Sequence, residues 1–283
     1  MALDQIDVDS YKMTASKEMS FLDHLEELRW HVIRAAASIF VFGIAAFLAK
    51  DFVFKTIVFG PKYADFITYK VICNLSNSAG MGDALCFFPP EFSFITPIFG
   101  ELFIQHIKVS VMIGVIASFP YIFWEIWRFI KPGLYAKEQN AARGMVTICS
   151  GLFLTGVLFG YYIISPFAIT FLAGYEIEGV VATPALSSYI NYMTMFTLPV
   201  GIVFELPIAV FFLSKICLVT PEFMKSYRRH AVILILILAA VITPPDVVTQ
   251  VLVGMPLYVL YEISIVISRR VVNKQKQEQE QES

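Results

Sequence analysis

Charge is scarce in this sequence. Asp, Glu, Lys and Arg make up 16% of its 283 residues against 57% hydrophobic residues, and the mean hydropathy is +0.69. That balance excludes a soluble domain, because stretches such as 200–213 and 231–242 are apolar nearly all round instead of along one stripe. The formal net charge of −2 says little, since the side of the membrane on which each charge lies matters more than the sum. Cysteine occurs four times, without the close pairs that a structural zinc site or a dithiol redox motif requires. Cys73 and Cys86 nevertheless share one polar loop read as lying outside the membrane, where a disulfide can persist, and a bridge and two separate thiols both stay open. Also missing are a nucleophile elbow, a His-Glu-x-x-His zinc motif, a phosphate-binding glycine loop and a gated pair of intramembrane aspartates. No enzyme chemistry, metal, cofactor or nucleic-acid partner is therefore expected, and His24, His31, His106 and His230 read as dispersed interfacial polar residues. The first twenty residues carry Asp4, Asp7, Asp9, Lys12 and Lys17 and no apolar core. No cleavable secretory signal is expected there, and residues 1–19 read as a disordered cytoplasmic N-terminus.

Long apolar runs are what the chain has in abundance. Residues 20–34 read as an amphipathic helix, with Ser20 as its cap, Asp23 in its first turn and Phe21, Leu25 and Leu28 at helical spacing. Transmembrane spans are expected at about 30–49, 104–130, 145–165, 189–213, 229–243 and 247–267, within a membrane domain covering 20–270. An extracytoplasmic loop, 50–103, is broken by Pro61, Pro89, Pro90 and Pro97. The second span holds Pro120 and ends in an aromatic belt of Tyr121, Phe123, Trp124, Trp127 and Phe129. The third stops near Ser165-Pro166 and carries Gly156 and Gly160 at the spacing of a close helix contact. The fourth is expected to bend, through Pro199 and Pro207. The last two look short, the fifth most plainly, since roughly fourteen residues at 1.5 Å rise give about 21 Å against a hydrocarbon core of about 30 Å. The Gln/Glu/Lys-rich tail, 271–283, should be solvated and disordered. Sixteen Lys and Arg fall before the first span, in the second-to-third and fourth-to-fifth connectors and in the tail, against five in or beside the first loop. The positive-inside rule then gives six spans with both termini cytoplasmic.

The informative residues are acids. Glu26, Glu27 and Glu138 fall on the inner side, either as solvated surface carboxylates or as partners for an arginine pair, which a carboxylate engages in a bidentate fork. Glu205 sits inside the fourth span in Phe204-Glu205-Leu206-Pro207, where an ionisable group costs several kcal/mol unless neutral, paired or facing a polar cavity. A functional role is the default, with a structural hydrogen bond to another helix as the alternative. Asp246, after two prolines, either begins the last helix as an N-terminal acid or belongs to a polar site.

Taken together, several ordered motifs resemble the TatC family, the polytopic component of the twin-arginine protein translocase. They are Phe21-Leu22-Asp23-His24-Leu25-Glu26-Glu27-Leu28-Arg29, Phe119-Pro120, Trp127 to Glu138 around the first inner loop, Phe204-Glu205-Leu206-Pro207 and Thr243-Pro244-Pro245-Asp246. The resemblance implies an all-α integral membrane protein of six helices in a concave, glove-like bundle in the bacterial inner membrane. It implies a receptor for twin-arginine signal peptides on folded cargo, driven by the proton-motive force, that assembles with small single-span subunits of the TatA/TatB type and with itself. By motif position, Glu27 and Glu138 would meet the arginines, and Arg29, Phe129 and Pro120 would shape the site. Glu205 would face partner subunits, with Asp246 and Gln250 as polar positions of the last two helices. Two departures stand out: His31 replaces a second basic residue, and the first outer loop is expanded around Cys73 and Cys86. A proton-coupled secondary transporter using Glu205 is the rival reading, although inverted repeats are not evident. A structural membrane scaffold is the third.

Overall fold

In lipid every backbone N–H and C=O must be satisfied within the chain, which favours helices for apolar runs of this length. A computed structural model describes residues 21–130, 142–175, 177–178, 183–243 and 246–282, and most of them are helical. Ser20, Glu138, Glu176, Pro244 and Pro245 lie outside the described residues. Helix α1 covers Phe21–Leu48. It is followed by the single turn α2, Lys50–Phe52, a π-helical turn, Val53–Val58, and a 3₁₀ turn, Gly60–Lys62. Helix α3, Ile67–Ser78, leads to a second 3₁₀ turn, Gly82–Leu85, and then to α4, Glu101–Ile130. Next come α5, Ala142–Phe159, a π segment, Gly160–Ile164, and α6, Ser165–Gly174, as one continuous rod. The rest is α7, Leu186–Val203; α8, Leu206–Lys215; α9, Pro221–Ser226; α10, Arg228–Ile242; and α11, Val247–Glu282.

Small residues set the closest packing. Helix α1 runs antiparallel along α4, and a Cβ on Gly114 would fall 2.8 Å from the Ile39 carbonyl oxygen and 2.9 Å from the Gly43 nitrogen. Gly156 and Gly160 of the third span face α7 as their spacing anticipates, for a Cβ on Gly160 would lie 1.9 Å from the Phe196 carbonyl oxygen. Behind that contact Ile164, Phe196, Val200, Ala239, Val253 and Leu257 form one buried apolar cluster. Helix α11 packs on α8, where the Ser214 hydroxyl donates to that of Ser268 at 2.7 Å, and on α10, where Gln250 Nε2 donates to the Leu236 carbonyl at 3.2 Å. The two loops facing away from the N-terminal end of α1 are tied together. Ile95 and Ala185 form a parallel bridge, and the buried Glu101 carboxylate accepts from the backbone N–H groups of Ile98 and Ser187.

Several elements differ from the sequence expectation. Among the described residues five helices are long and apolar enough to cross a membrane, and the 15-residue α10 is not one of them. The third helix does not stop at Ser165-Pro166. Proline cannot donate to the carbonyl four residues back, and here the Thr68 hydroxyl of α3 donates to that Tyr162 oxygen instead, so the rod continues to Gly174. The fourth span bends, but at Phe204-Glu205, immediately before Pro207, while Pro199 sits inside α7. The last span is not short, since α11 is 36 residues long. The tail read as disordered is helical to Glu282: Gln, Glu and Lys extend an established helix readily, and Gln275 Nε2 donates to the Lys215 carbonyl at the end of α8. In the first loop, Cys73 and Cys86 are joined by a disulfide that closes the end of α3 onto the following turn.

Candidate functional site

Where the N-terminal end of α1 meets the C-terminal end of α4, the sequence-selected Glu27, Arg29 and Phe129 share one neighbourhood with His31, which the sequence reading took as an interfacial polar residue, and with Glu125, which it passed over. The antiparallel register places His31 of α1 opposite Glu125 of α4, and both are buried. His31 Nδ1 lies 2.5 Å from Glu125 Oε2, and the Tyr121 hydroxyl, one turn earlier on α4, donates to Oε1 at 2.8 Å. Both carboxylate oxygens are thus engaged inside a helix pair, where an unpaired acid would be costly. The His31 ring meets Phe129 edge-on with centroids 6.0 Å apart. One turn before His31, on the same side of α1, Glu27 is half-buried, and its Oε2 is buried with no hydrogen-bond partner among the described residues. Arg29 is exposed. Arg34 of α1 and Arg128 of α4 act electrostatically on the Tyr121–Glu125 cluster, and the Arg128 guanidinium lies 5.9 Å from the Trp124 ring centroid. This end is therefore rich in carboxylate, arginine and aromatic groups.

Pro120 stands deeper, more than two turns from Phe129, and lines a cavity of about 570 Å³ with Met112, Ile116, Val157, Tyr161 and Met193. The walls come from α2 and the π-helical turn after it, α4, the third rod and α7, and they are almost wholly apolar. Glu205 lies elsewhere, at the break between α7 and α8. Both of its carboxylate oxygens are buried, and the polar groups that face them are the Cys149 thiol and the Phe153 backbone of α5. Asp246 and Gln250 sit at the tip between α10 and α11. Asp246 Oδ2 accepts from the Thr249 N–H at 2.8 Å, which makes it the cap of α11, the structural role that its position allowed. These selected residues thus occupy four places: Glu27, Arg29 and Phe129 near the N-terminal end of α1, Pro120 in the cavity wall, Glu205 at the break between α7 and α8, and Asp246 with Gln250 at the opposite tip. Glu125 carried a readable signal, because it is an ionisable residue inside an apolar span just as Glu205 is. Its position within the aromatic belt hid it.

A family model for the Sec-independent protein translocase protein TatC matches residues 23–256. The protein of that name from Blattabacterium sp. subsp. Periplaneta americana is 39% identical over 260 residues, which cover 91% of this chain and 97% of that one. TatCy of Bacillus subtilis is 31% identical over 258 residues, 91% of each chain. A crystal structure described as the twin arginine translocase receptor TatC in DDM superposes with a TM-score of 0.67 at 32% identity, covering 87% of this chain and 99% of that one. A second structure of the twin arginine translocase receptor TatC gives 0.64 at 31% identity, covering 88% and 99%. With similarity running through nearly the whole chain in both sequence and fold, this multi-pass membrane protein belongs to the TatC family of twin-arginine translocase subunits.

Proposed function

We propose that this translocase subunit is the receptor that reads twin-arginine signal peptides, with Glu27 and Glu138 meeting the two arginines and Arg29, Phe129 and Pro120 shaping the site. The observation that carries the reading is Glu27, a half-buried carboxylate with an oxygen lacking a partner among the described residues, fixed one turn from the His31–Glu125–Tyr121 cluster. A guanidinium fits such a group through a bidentate, charge-assisted pair. The apolar stretch of the signal peptide then lies toward the cavity lined by Pro120 and Met193. Sixteen basic residues against five support six spans with both termini cytoplasmic in the bacterial inner membrane, α10 crossing by borrowing flanking residues or by local thinning of the bilayer. Glu205, half-buried within the fourth span with both carboxylate oxygens shielded from solvent, is the contact for small single-span subunits of the TatA/TatB type, in a complex that uses the proton-motive force to export folded cargo. Binding of a fluorescent Arg-Arg signal peptide to the chain in nanodiscs tests the central point. Glu27→Gln should weaken binding about tenfold or more, because a hydrogen bond to a charged group contributes about 1.5–3 kcal/mol and tenfold corresponds to about 1.4 kcal/mol. Unchanged affinity in a Glu27→Gln, Glu138→Gln double variant would overturn it.

A further inference from the structure

The first loop contains a helix with three distinct sides. Thr68, Tyr69 and Ser76 of α3 are buried against the protein. Ile67, Val71 and Leu75, at positions i, i+4 and i+8, form a second side and are 58%, 49% and 63% exposed. Lys70, Asn74 and Asn77 form the third, also exposed, with Lys70 paired to Asp65 at 2.9 Å. A helix standing in water has no use for a separate aliphatic side, since each Val, Leu or Ile left uncovered forgoes the gain of leaving water. We propose that α3 is an interfacial helix, and that its Ile67–Val71–Leu75 side is immersed at the acyl-chain boundary of the leaflet opposite the N-terminal end of α1.

Depth, continuity and rigidity each point to lipid as the occupant. Helix α3 docks on the third rod at Tyr162 and Pro166: the Thr68 hydroxyl donates to the Tyr162 carbonyl, and the Tyr69 hydroxyl donates to the carbonyls of Pro61 and Pro166. Burial pushes the Tyr69 phenol up to about 12, so it remains a donor at any physiological pH. Gly144 begins the apolar stretch of that rod, and the eighteen residues from it to Tyr162 rise about 27 Å, close to the hydrocarbon thickness of about 30 Å. A hydrocarbon layer that begins at Gly144 thus ends close to the docking point. The aliphatic side of α3 also borders a groove of about 420 Å³ whose other wall is Tyr162, Ile163 and Phe167 of the same rod. Ile163 and Phe171 are exposed on that rod, so the lipid-facing surface of the span runs on into the α3 side without a polar break. The disulfide from Cys73 to Cys86 brings Phe87 back onto Phe167, with centroids 4.4 Å apart, which fixes the rotation of α3 and keeps its aliphatic side toward the groove. Segregation of an aliphatic side from a Lys/Asn side is how amphipathic helices lie in a membrane interface.

Carbene footprinting of the unsubstituted chain tests this directly. The chain is reconstituted into phosphatidylethanolamine and phosphatidylglycerol liposomes, labelled with a lipid-partitioning or a water-soluble diazirine, and read residue by residue by mass spectrometry. The lipid-borne reagent should label Ile67, Val71 and Leu75 several-fold more than Lys70, Asn74 and Asn77, and the water-soluble reagent should show the reverse preference. Labelling of the aliphatic side by the aqueous reagent would place it in water, and protection from both reagents would place it against a second copy or another protein. Either result overturns the proposal.

Discussion

A carboxylate between two helices is stable only while its partners remain. Glu125→Ala would leave His31 and the Tyr121 hydroxyl without their shared acceptor in a buried site, at about 1–3 kcal/mol for each unsatisfied group. The thermal midpoint in detergent should fall clearly for Glu125→Ala and much less for Glu125→Gln, which keeps an acceptor oxygen at the same place. Equal losses for the two variants would mean that volume, and not hydrogen bonding, is what Glu125 supplies. At this scale the sequence was partly legible. Glu27, Arg29 and Phe129 are recognisable from their motifs, and Glu205 from its acid in an apolar run. The His31–Glu125 pair was not, because its partners are 94 residues apart and a histidine at the end of a span looks like an interfacial residue.

Helices follow hydropathy, but their ends and breaks follow long-range partners. The first four spans are readable as apolar runs, and the close contact at Gly156 and Gly160 is readable from their spacing. The run through Ser165-Pro166 is not readable, since the hydroxyl that satisfies the Tyr162 carbonyl belongs to Thr68 in a different element. The helical tail is equally hidden, because its anchor is the Lys215 carbonyl of α8. Two element-level results are expected. Gly160→Ala should push the π segment of the third rod from α7 and lose about 1–3 kcal/mol by overpacking. Gly151→Ala, where the added Cβ meets nothing within 4 Å, should be neutral or stabilising by up to about 1 kcal/mol. Chemical denaturation in mixed micelles would separate the two signs. Reducing the Cys73–Cys86 bridge, which closes a loop of 13 residues' separation, should release about 3 kcal/mol of chain ordering. Faster proteolysis within 67–88, with the spans left intact, is the expected readout.

The whole molecule divides its polar chemistry by depth. Carboxylate, arginine and aromatic groups gather where the N-terminal end of α1 meets the C-terminal end of α4, a mostly apolar cavity follows, the Glu205 carboxylate oxygens are buried at the break between α7 and α8, and Glu101, Asp246 and the disulfide fasten the opposite face. That gradient suits a ligand that pairs two guanidinium groups with an apolar helix, entering from the side where positive charge is concentrated. The most direct test places a photocrosslinking residue in turn at Trp30, Arg128, Lys55 and Lys62, and presents a twin-arginine signal peptide to the membrane-embedded chain. Adducts adjoining the arginine pair should form from positions 30 and 128 and not from 55 or 62. Adducts formed instead from 55 and 62, or from none of the four, would contradict the proposed signal-peptide site at this end of α1 and α4.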